Sequence, residues 1–325
     1  MQLAVLVDGD DLIIAGSKTK LINAFKSYMG QCFHVEYLSI LKYFLGVEVA
    51  RKAEWIFLCQ RKYAVDIVHE AGLLGAKPSK FPMEQNHHLA LAKGDLLQDP
   101  EQYRRLVGRL IYLSLTRPEL SYGVHILAQF MQQPRKEHWE AALRIVRYLK
   151  GSPGQGILLN ADCNLELKAY CDSDWGGCPL TRRSLTGYFI FLGPSPISWK
   201  TKKQHTVSRS SAEAEYRSLA ATVCELKWLK GLLLSLGVHH DQSAGVFCDS
   251  QAAMHIAANP VFHERTKHIE VDCHFVRDEI QKGMIKTVYV RSHDQLADIL
   301  TKALGRDQFE FLLRKLGVRD PHAPT

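Results

Sequence analysis

Residues 150–156 read Lys150-Gly151-Ser152-Pro153-Gly154-Gln155-Gly156, and no helix or strand runs easily through three glycines and a proline in so short a span. The break parts the 325 residues into two stretches, each the size of an ordinary domain, with different element orders. The expected division is 1–155, 160–318 and a tail, 319–325, with the second part able to act alone. Before the break, residues 3–7 and 12–15 are apolar runs around Asp8, Gly9, Asp10 and Asp11, the pattern of a tight hairpin with acids in its turn. A second hairpin is expected over 42–51 and 55–60, then helices over 62–71 and 100–114. Arg117-Pro118 ends the latter, and an amphipathic stretch at 122–130 leads to a helix over 136–149.

After the break, strands are expected at 167–172, 186–192 and 197–200, followed by a long helix over 211–236. Ser210 with Glu213 three residues on is a capping signature for that helix. A strand at 245–249, helices at 251–257 and 269–282, a strand at 285–290 and a helix at 295–304 complete an α/β sandwich with a mixed sheet.

Four acids of this second stretch share one placement. Asp172 ends the first strand, Glu215 lies in the first turns of the long helix, Asp249 ends the fourth strand, and Asp298 lies in the last helix. Such positions of an open α/β sheet converge on one rim. Singly, each acid reads as a cap or a surface charge. Together, with no lysine expected among them, they would repel one another, and a pair of Mg²⁺ ions is the natural counter-charge, with Mn²⁺ as a substitute. Two such ions, roughly 3.5–4 Å apart, suit hydrolysis of a phosphodiester. Asp174, two residues along the strand and about 7 Å away on the same face, reads as a supporting acid. Glu213 reads as part of the cap.

With 46% hydrophobic and 23% charged residues, the composition is that of a folded globular chain, and its longest apolar runs fall far short of the ~20 residues of a membrane span. No secretory leader is visible, so a cytoplasmic location is expected, with access to the nucleus left open. The eight cysteines form no Cys-x-x-Cys pair and read as reduced, mostly buried thiols. His263, His268, Cys273 and His274 cluster in sequence but match no common zinc spacing. Of the net +7, residues 1–160 hold 20 Lys and Arg against 15 Asp and Glu, and residues 101–150 alone hold 9 against 4. That excess suits a phosphate backbone as well as a plain solvated surface.

Several strings carry a resemblance. Tyr170-Cys171-Asp172-Ser173-Asp174-Trp175, Thr181-Arg182-Arg183-Ser184-Leu185-Thr186-Gly187-Tyr188, Ser210-Ser211-Ala212-Glu213-Ala214-Glu215-Tyr216, Arg265-Thr266-Lys267-His268-Ile269-Glu270 and Gln295-Leu296-Ala297-Asp298 resemble the ribonuclease H domain of copia-type retrotransposons. Upstream, Tyr43-Phe44-Leu45-Gly46-Val47-Glu48-Val49, Tyr103-Arg104-Arg105-Leu106-Val107-Gly108, Thr116-Arg117-Pro118 and Arg147-Tyr148-Leu149-Lys150-Gly151 extend it over roughly residues 3–318, into the end of the reverse transcriptase of the same Pol polyprotein.

The resemblance implies a ribonuclease H-like mixed-sheet domain preceded by a partial α+β palm, thumb and connection segment. It places catalytic, metal-holding acids at Asp172, Glu215, Asp249 and Asp298, and an auxiliary role at His293. Asp10 and Asp11 correspond to the paired palm aspartates, although Asp8 and Gly9 stand where the family has Tyr and Val, and its first palm aspartate has no counterpart here. Polymerisation is therefore not expected. The implied partner is an RNA/DNA hybrid, not a membrane, gripped by Arg182, Arg183, Lys200, Lys202, Lys203 and Arg209. The implied activity is two-metal hydrolysis of the hybrid's RNA strand. The alternative is a non-catalytic or domesticated relic that at most binds nucleic acid, and the oligomeric state stays open.

Overall fold

The computed structural model describes residues 3–259 and 269–320. It begins with the expected hairpin, β1 (Leu3–Asp8) and β2 (Asp11–Gly16), turned by Gly9 and Asp10 with Gly9 at φ 55°. A positive φ at the first turn position is a conformation glycine adopts freely. This sheet has two strands only, and Val5, Leu6 and Val7 stay exposed. Helix α1 (Thr19–Cys32) was not anticipated. It buries none of its residues, and its start at Lys18 carries no side-chain cap to mark it.

β3 (Tyr43–Phe44), β4 (Val47–Arg51) and β5 (Trp55–Cys59) form an antiparallel meander, and α2 (Arg61–Glu70) follows. α3 (Pro100–Leu113) starts where Asp99 accepts hydrogen bonds from the amides of Glu101 and Gln102, with proline in the first turn. α4 (Ser121–Ala128) and α5 (Lys136–Gly151) complete the helical layer.

The break is a packed bend rather than a free linker. Buried Arg117 donates from Nε to Glu119 at 2.6 Å and from its two terminal nitrogens to Ser152 O at 2.8 Å and Ser152 Oγ at 3.0 Å. Gln155 donates to the same Glu119 carboxylate at 3.2 Å. The chain then enters β6 (Gly156–Asn160), which pairs antiparallel with β5. The residues at the expected junction are thus a strand of the first part's own sheet.

Beyond it, β7 (Leu167–Asp174), β8 (Leu185–Leu192) and β9 (Ser195–Lys203) run antiparallel. α6 (Ser211–Ser235) leads to β10 (Ala244–Cys248), which lies parallel to β7. α7 (Gln251–Ala258) and α8 (Glu270–Gln281) precede β11 (Ile285–Tyr289), parallel to β10. The sheet order β11-β10-β7-β8-β9, with the long helix between the third and fourth strands, is the ribonuclease H-like mixed sheet that was expected.

Four expectations need correction. β7 continues to Asp174 because its pairing with β8 holds through Asp174 and Leu185, so Asp172 lies inside the strand and does not end it. β9 continues to Lys203 for the same reason, which puts Lys200, Lys202 and Lys203 in a strand. The helix expected at 295–304 is a short α9 (Asp298–Thr301), and α10 (Arg306–Lys315) starts after Gly305. β12 (Val318–Arg319) then pairs with β6 of the first sheet, so Arg319 is not part of a tail.

One core lies between the five-stranded mixed sheet and α6, α7 and α8. The other face of the same sheet, with Leu185, Phe189 and Phe191, joins α9, α10 and the first half's helices in a second core containing Leu110, Ile145, Leu149, Phe309 and Leu312. Tyr148 meets Phe309 edge-on at 5.7 Å, and Trp199 Nε1 donates to Ser114 O at 3.0 Å. Because both parts bury this apolar surface together, the whole chain is the unit to assay, whereas 160–318 alone would expose it. Four of the eight cysteines are buried, not most, and all eight are free. No described helix is long and apolar enough to cross a membrane.

Candidate active site

Asp172 sits in mid-strand, opposite Gly187 of β8. A Cβ on Gly187 would lie 2.5 Å from Thr301 Cγ2 and 3.0 Å from Leu300 Cβ, so the glycine lets α9 close over the strand. That approach brings two side chains to Asp172. Thr301 Oγ1 donates to Asp172 Oδ2, Lys302 Nζ donates to Asp172 Oδ1 at 3.1 Å, and the same ammonium reaches Asp298 Oδ1 at 2.8 Å. Behind the carboxyl, Ser218 Oγ holds the Asp172 carbonyl at 2.8 Å.

Glu215 is set by the start of α6. Ser210 Oγ accepts from Glu213 N at 3.2 Å, the cap expected of this pair, while Glu213 Oε2 reaches past the cap residue to accept from Arg209 N at 2.8 Å. One turn in, Glu215 Oε1 accepts from Ser173 N at 3.3 Å, and its buried Oε2 has no protein partner. Asp249 follows β10 and accepts from Ser292 Oγ at 2.8 Å. Ligand atoms of Glu215, Cys248 and Asp249 lie within 4.8 Å of one another.

Burial, then the nearby Asp172, Cys248 and Asp249, pushes the Glu215 carboxyl up to about 10. Burial and Asp172 raise Asp298 to about 7 and Asp174 to about 6, with Lys302 opposing both. Burial works against the Lys302 charge, but Asp172 and Asp298 hold that ammonium above its ordinary value. The acids therefore converge as expected, yet the expectation of a cluster without lysine is wrong. Lys302 lies four residues after Asp298, a helical spacing that could have revealed the pair. Cys248 was also missed, because next to Asp249 it reads as one more buried thiol.

The other expected site residues are more scattered. Asp10 and Asp11 are exposed on their hairpin and, among the described residues, join no group of three or more metal-type ligands. His293 is exposed, with its ring 4.5 Å from Phe311 of α10 and 3.7 Å from Asp294. Lys200 and Lys202 are exposed on one face of β9. Lys203 turns the other way, to Gln129 just past α4 and to Cys178 Sγ at 3.2 Å. Arg182, at φ 54°, and Arg183 are exposed in the β7–β8 connection, and Arg209 is exposed before α6. His263, His268 and the string from Arg265 to His268 lie outside the described residues. Cys273 is buried, and His274 lies 3.8 Å from Glu270.

Residues 1–85 match the family model of the reverse transcriptase (RNA-dependent DNA polymerase). Over 314 residues, 97% of this chain, the sequence is 45% identical to the retrovirus-related Pol polyprotein from transposon RE2 of Arabidopsis thaliana and 44% identical to that from transposon RE1. The chain spans about a fifth of those relatives, 22% and 21% of their lengths. A crystal structure of LC11-RNase H1 in complex with an RNA/DNA hybrid aligns at a TM-score of 0.33 and 15% identity, over 42% of this chain and 94% of that one. Similarity along 97% of this chain to about a fifth of each polyprotein, together with the reverse transcriptase match and the mixed sheet described above, makes this chain a homologue of the copia-type retrotransposon Pol polyproteins.

Proposed function

We propose that the chain is a divalent-metal-dependent endonuclease of the ribonuclease H type that hydrolyses the RNA strand of an RNA/DNA hybrid. The observation that carries this reading is the gathering of Asp172, Glu215, Asp249 and Asp298 on one rim, with the Glu215 Oε2 lone pairs buried and unanswered. Oxygen donors of this kind fit Mg²⁺ or Mn²⁺, and the ammonium of Lys302 between two of them marks the rim as a place for positive charge. The four acids would hold the metal. When bound, a metal pair supplies a more acidic water and charge stabilisation for the leaving oxygen.

The remaining work falls to the protein's own groups. Thr301 and Lys302 fix the Asp172 carboxylate, Ser292 fixes Asp249, and the Ser173 amide fixes one oxygen of Glu215. Asp174, raised to about 6, can hold or release a proton on its carboxyl close to neutral pH. Arg182, Arg183, Lys200, Lys202 and Arg209 supply exposed cations for phosphates around the rim. Asp10 and Asp11 act as a remnant of a polymerase site, and no nucleotide incorporation is expected from them. Lys302 also favours a second reading, because an ammonium paired with Asp172 and Asp298 suits a relic that binds nucleic acid without cutting it.

Incubation of the full chain with a labelled RNA/DNA hybrid and Mg²⁺ or Mn²⁺ separates the two. The expected products carry 5′-phosphate and 3′-hydroxyl ends, with double-stranded DNA left intact for want of 2′-hydroxyls. Cleavage that survived in EDTA would overturn the metal-dependent reading. Hybrid binding without any cleavage would leave the relic.

A further inference from the structure

A cavity of about 280 Å³ lies between the two halves and borders the second core at Tyr122 and Leu185. On one side it is walled by the segment from Asn86 to Leu91 and by α4, and on the other by the β7–β8 connection and Lys203. Asp174 and Lys302 also line it, so it abuts the carboxylate rim. Its size is just below the roughly 300–1,000 Å³ of ordinary small-molecule sites, enough for one small unit and too little for a duplex. The walls combine an apolar surface, from Tyr122, Phe130 and Leu185, with the cations Arg183 and Lys203. Apolar and aromatic surface suits a base, and cations suit a phosphate.

We propose that this cavity takes one nucleotide of a nucleic-acid strand bound at the carboxylate rim, its base against Tyr122 and Phe130 and its phosphate at Arg183 and Lys203. The proposal rests on the nuclease reading and deepens it, because it gives the first half, otherwise without a role in that reading, part of the nuclease's grip. Gln129, at the C-terminal end of α4, already accepts from Lys203 Nζ, so a side chain of the first half orients the cation that would meet the phosphate.

Cys178 lines the same cavity and serves as a reporter. Burial works to raise its thiol, but hydrogen bonds with Thr181 and the adjacent Lys203 bring it down to about 7, so it should alkylate near neutral pH. The experiment follows iodoacetamide labelling of the full chain in EDTA, mapped by mass, with Cys32 and Cys224 as exposed internal controls. A hybrid or a single-stranded oligodeoxynucleotide at ten times its Kd should slow labelling of Cys178 about tenfold and leave the controls unchanged. Gln129→Ala should weaken that protection.

Unslowed labelling of Cys178 under saturating oligonucleotide and hybrid overturns the cavity assignment, whether or not the chain cuts hybrids. Protection in a chain that cuts no hybrid sinks the nuclease reading and leaves the nucleotide site standing. Equal protection by AMP at the same concentration would mean that the cavity takes a free nucleotide, which overturns its assignment to a strand.

Discussion

Two pairs of aspartates lie at or near strand ends in this chain, Asp10 with Asp11 at the β1–β2 turn and Asp172 with Asp174 in the last three residues of β7, and the fold treats them differently. The first pair is exposed on a hairpin that joins no other sheet. The second lies under α9, with Thr301 and Lys302 on Asp172 and Glu215 of α6 beside it. An aspartate near a turn is an ordinary sequence feature. It gains unusual chemistry when elements from elsewhere close over it, exclude water and oppose its charge.

The largest expected effect tests that contrast directly. Asp172→Asn should lower hybrid cleavage on the order of 10³-fold or more, the scale on which single members of a catalytic unit act. Asp10→Asn combined with Asp11→Asn should leave it unchanged. Both rates come from one labelled-hybrid assay, with circular dichroism confirming the fold. Undiminished cleavage in Asp172→Asn would mean that the wrong rim has been chosen.

The contrast also depends on the first half supporting the second. Arg117 is 1% exposed and Glu119 is 1% exposed, and the pair fastens the bend at Ser152. Breaking a buried pair strands a charge, so Arg117→Met should cost about 3–5 kcal/mol in denaturant unfolding. Arg104→Ala, which removes the exposed bridge to Glu101, should cost about 1 kcal/mol or less. Equal losses would show that the bend is not where the halves are held.

How far these features could be read in the sequence followed from how local their causes are. The mixed sheet was legible because β7, β8 and β10 carry apolar runs bounded by turns, and the cap of α6 because Ser210 and Glu213 are three residues apart. The strand β6 was hidden by the very glycines that mark the break, and α1 by the absence of a capping residue at its start. Lys302, Cys248 and the shared core depend on contacts across the fold: Lys302 meets Asp172 from 130 residues away. No local pattern reports such a meeting.

A smaller effect should appear in stability against pH without metal. The folded chain keeps Glu215 and Asp298 protonated where the unfolded chain has ionised them, so the folded state binds more protons and stability falls as pH rises. For Asp298 the window runs from the ordinary 3.8 to about 7, and for Glu215 from 4.5 towards about 10. In EDTA, Tm should therefore decline between about pH 5 and 9, and Glu215→Gln should flatten the decline. Mg²⁺, by favouring the ionised acids, should raise Tm most at the upper end. The double Asn variant of Asp10 and Asp11 should follow the parent curve. A parent Tm that rose through this window in EDTA would contradict the burial of Glu215 as described.

The smallest effect concerns the exposed cations around the rim. Lys200 and Lys202 project from one face of β9, while Lys203 turns away towards α4. If the exposed pair meets phosphates, each lysine releases about one counterion on binding, and log K falls with log salt by nearly one unit per contact. Lys200→Gln with Lys202→Gln should therefore reduce the salt slope of hybrid binding by about 2 and weaken binding mainly at low salt. The cleavage rate at saturating hybrid should hold, because neither lysine touches the carboxylates. Anisotropy titrations at several salt concentrations measure the slope. An unchanged slope would leave Lys200 and Lys202 as plain solvated charges and shift the phosphate contacts to Arg182, Arg183 and Arg209. A reduced slope with a reduced saturating rate would instead mean that β9 helps to set the geometry of Asp172 through its pairing with β8.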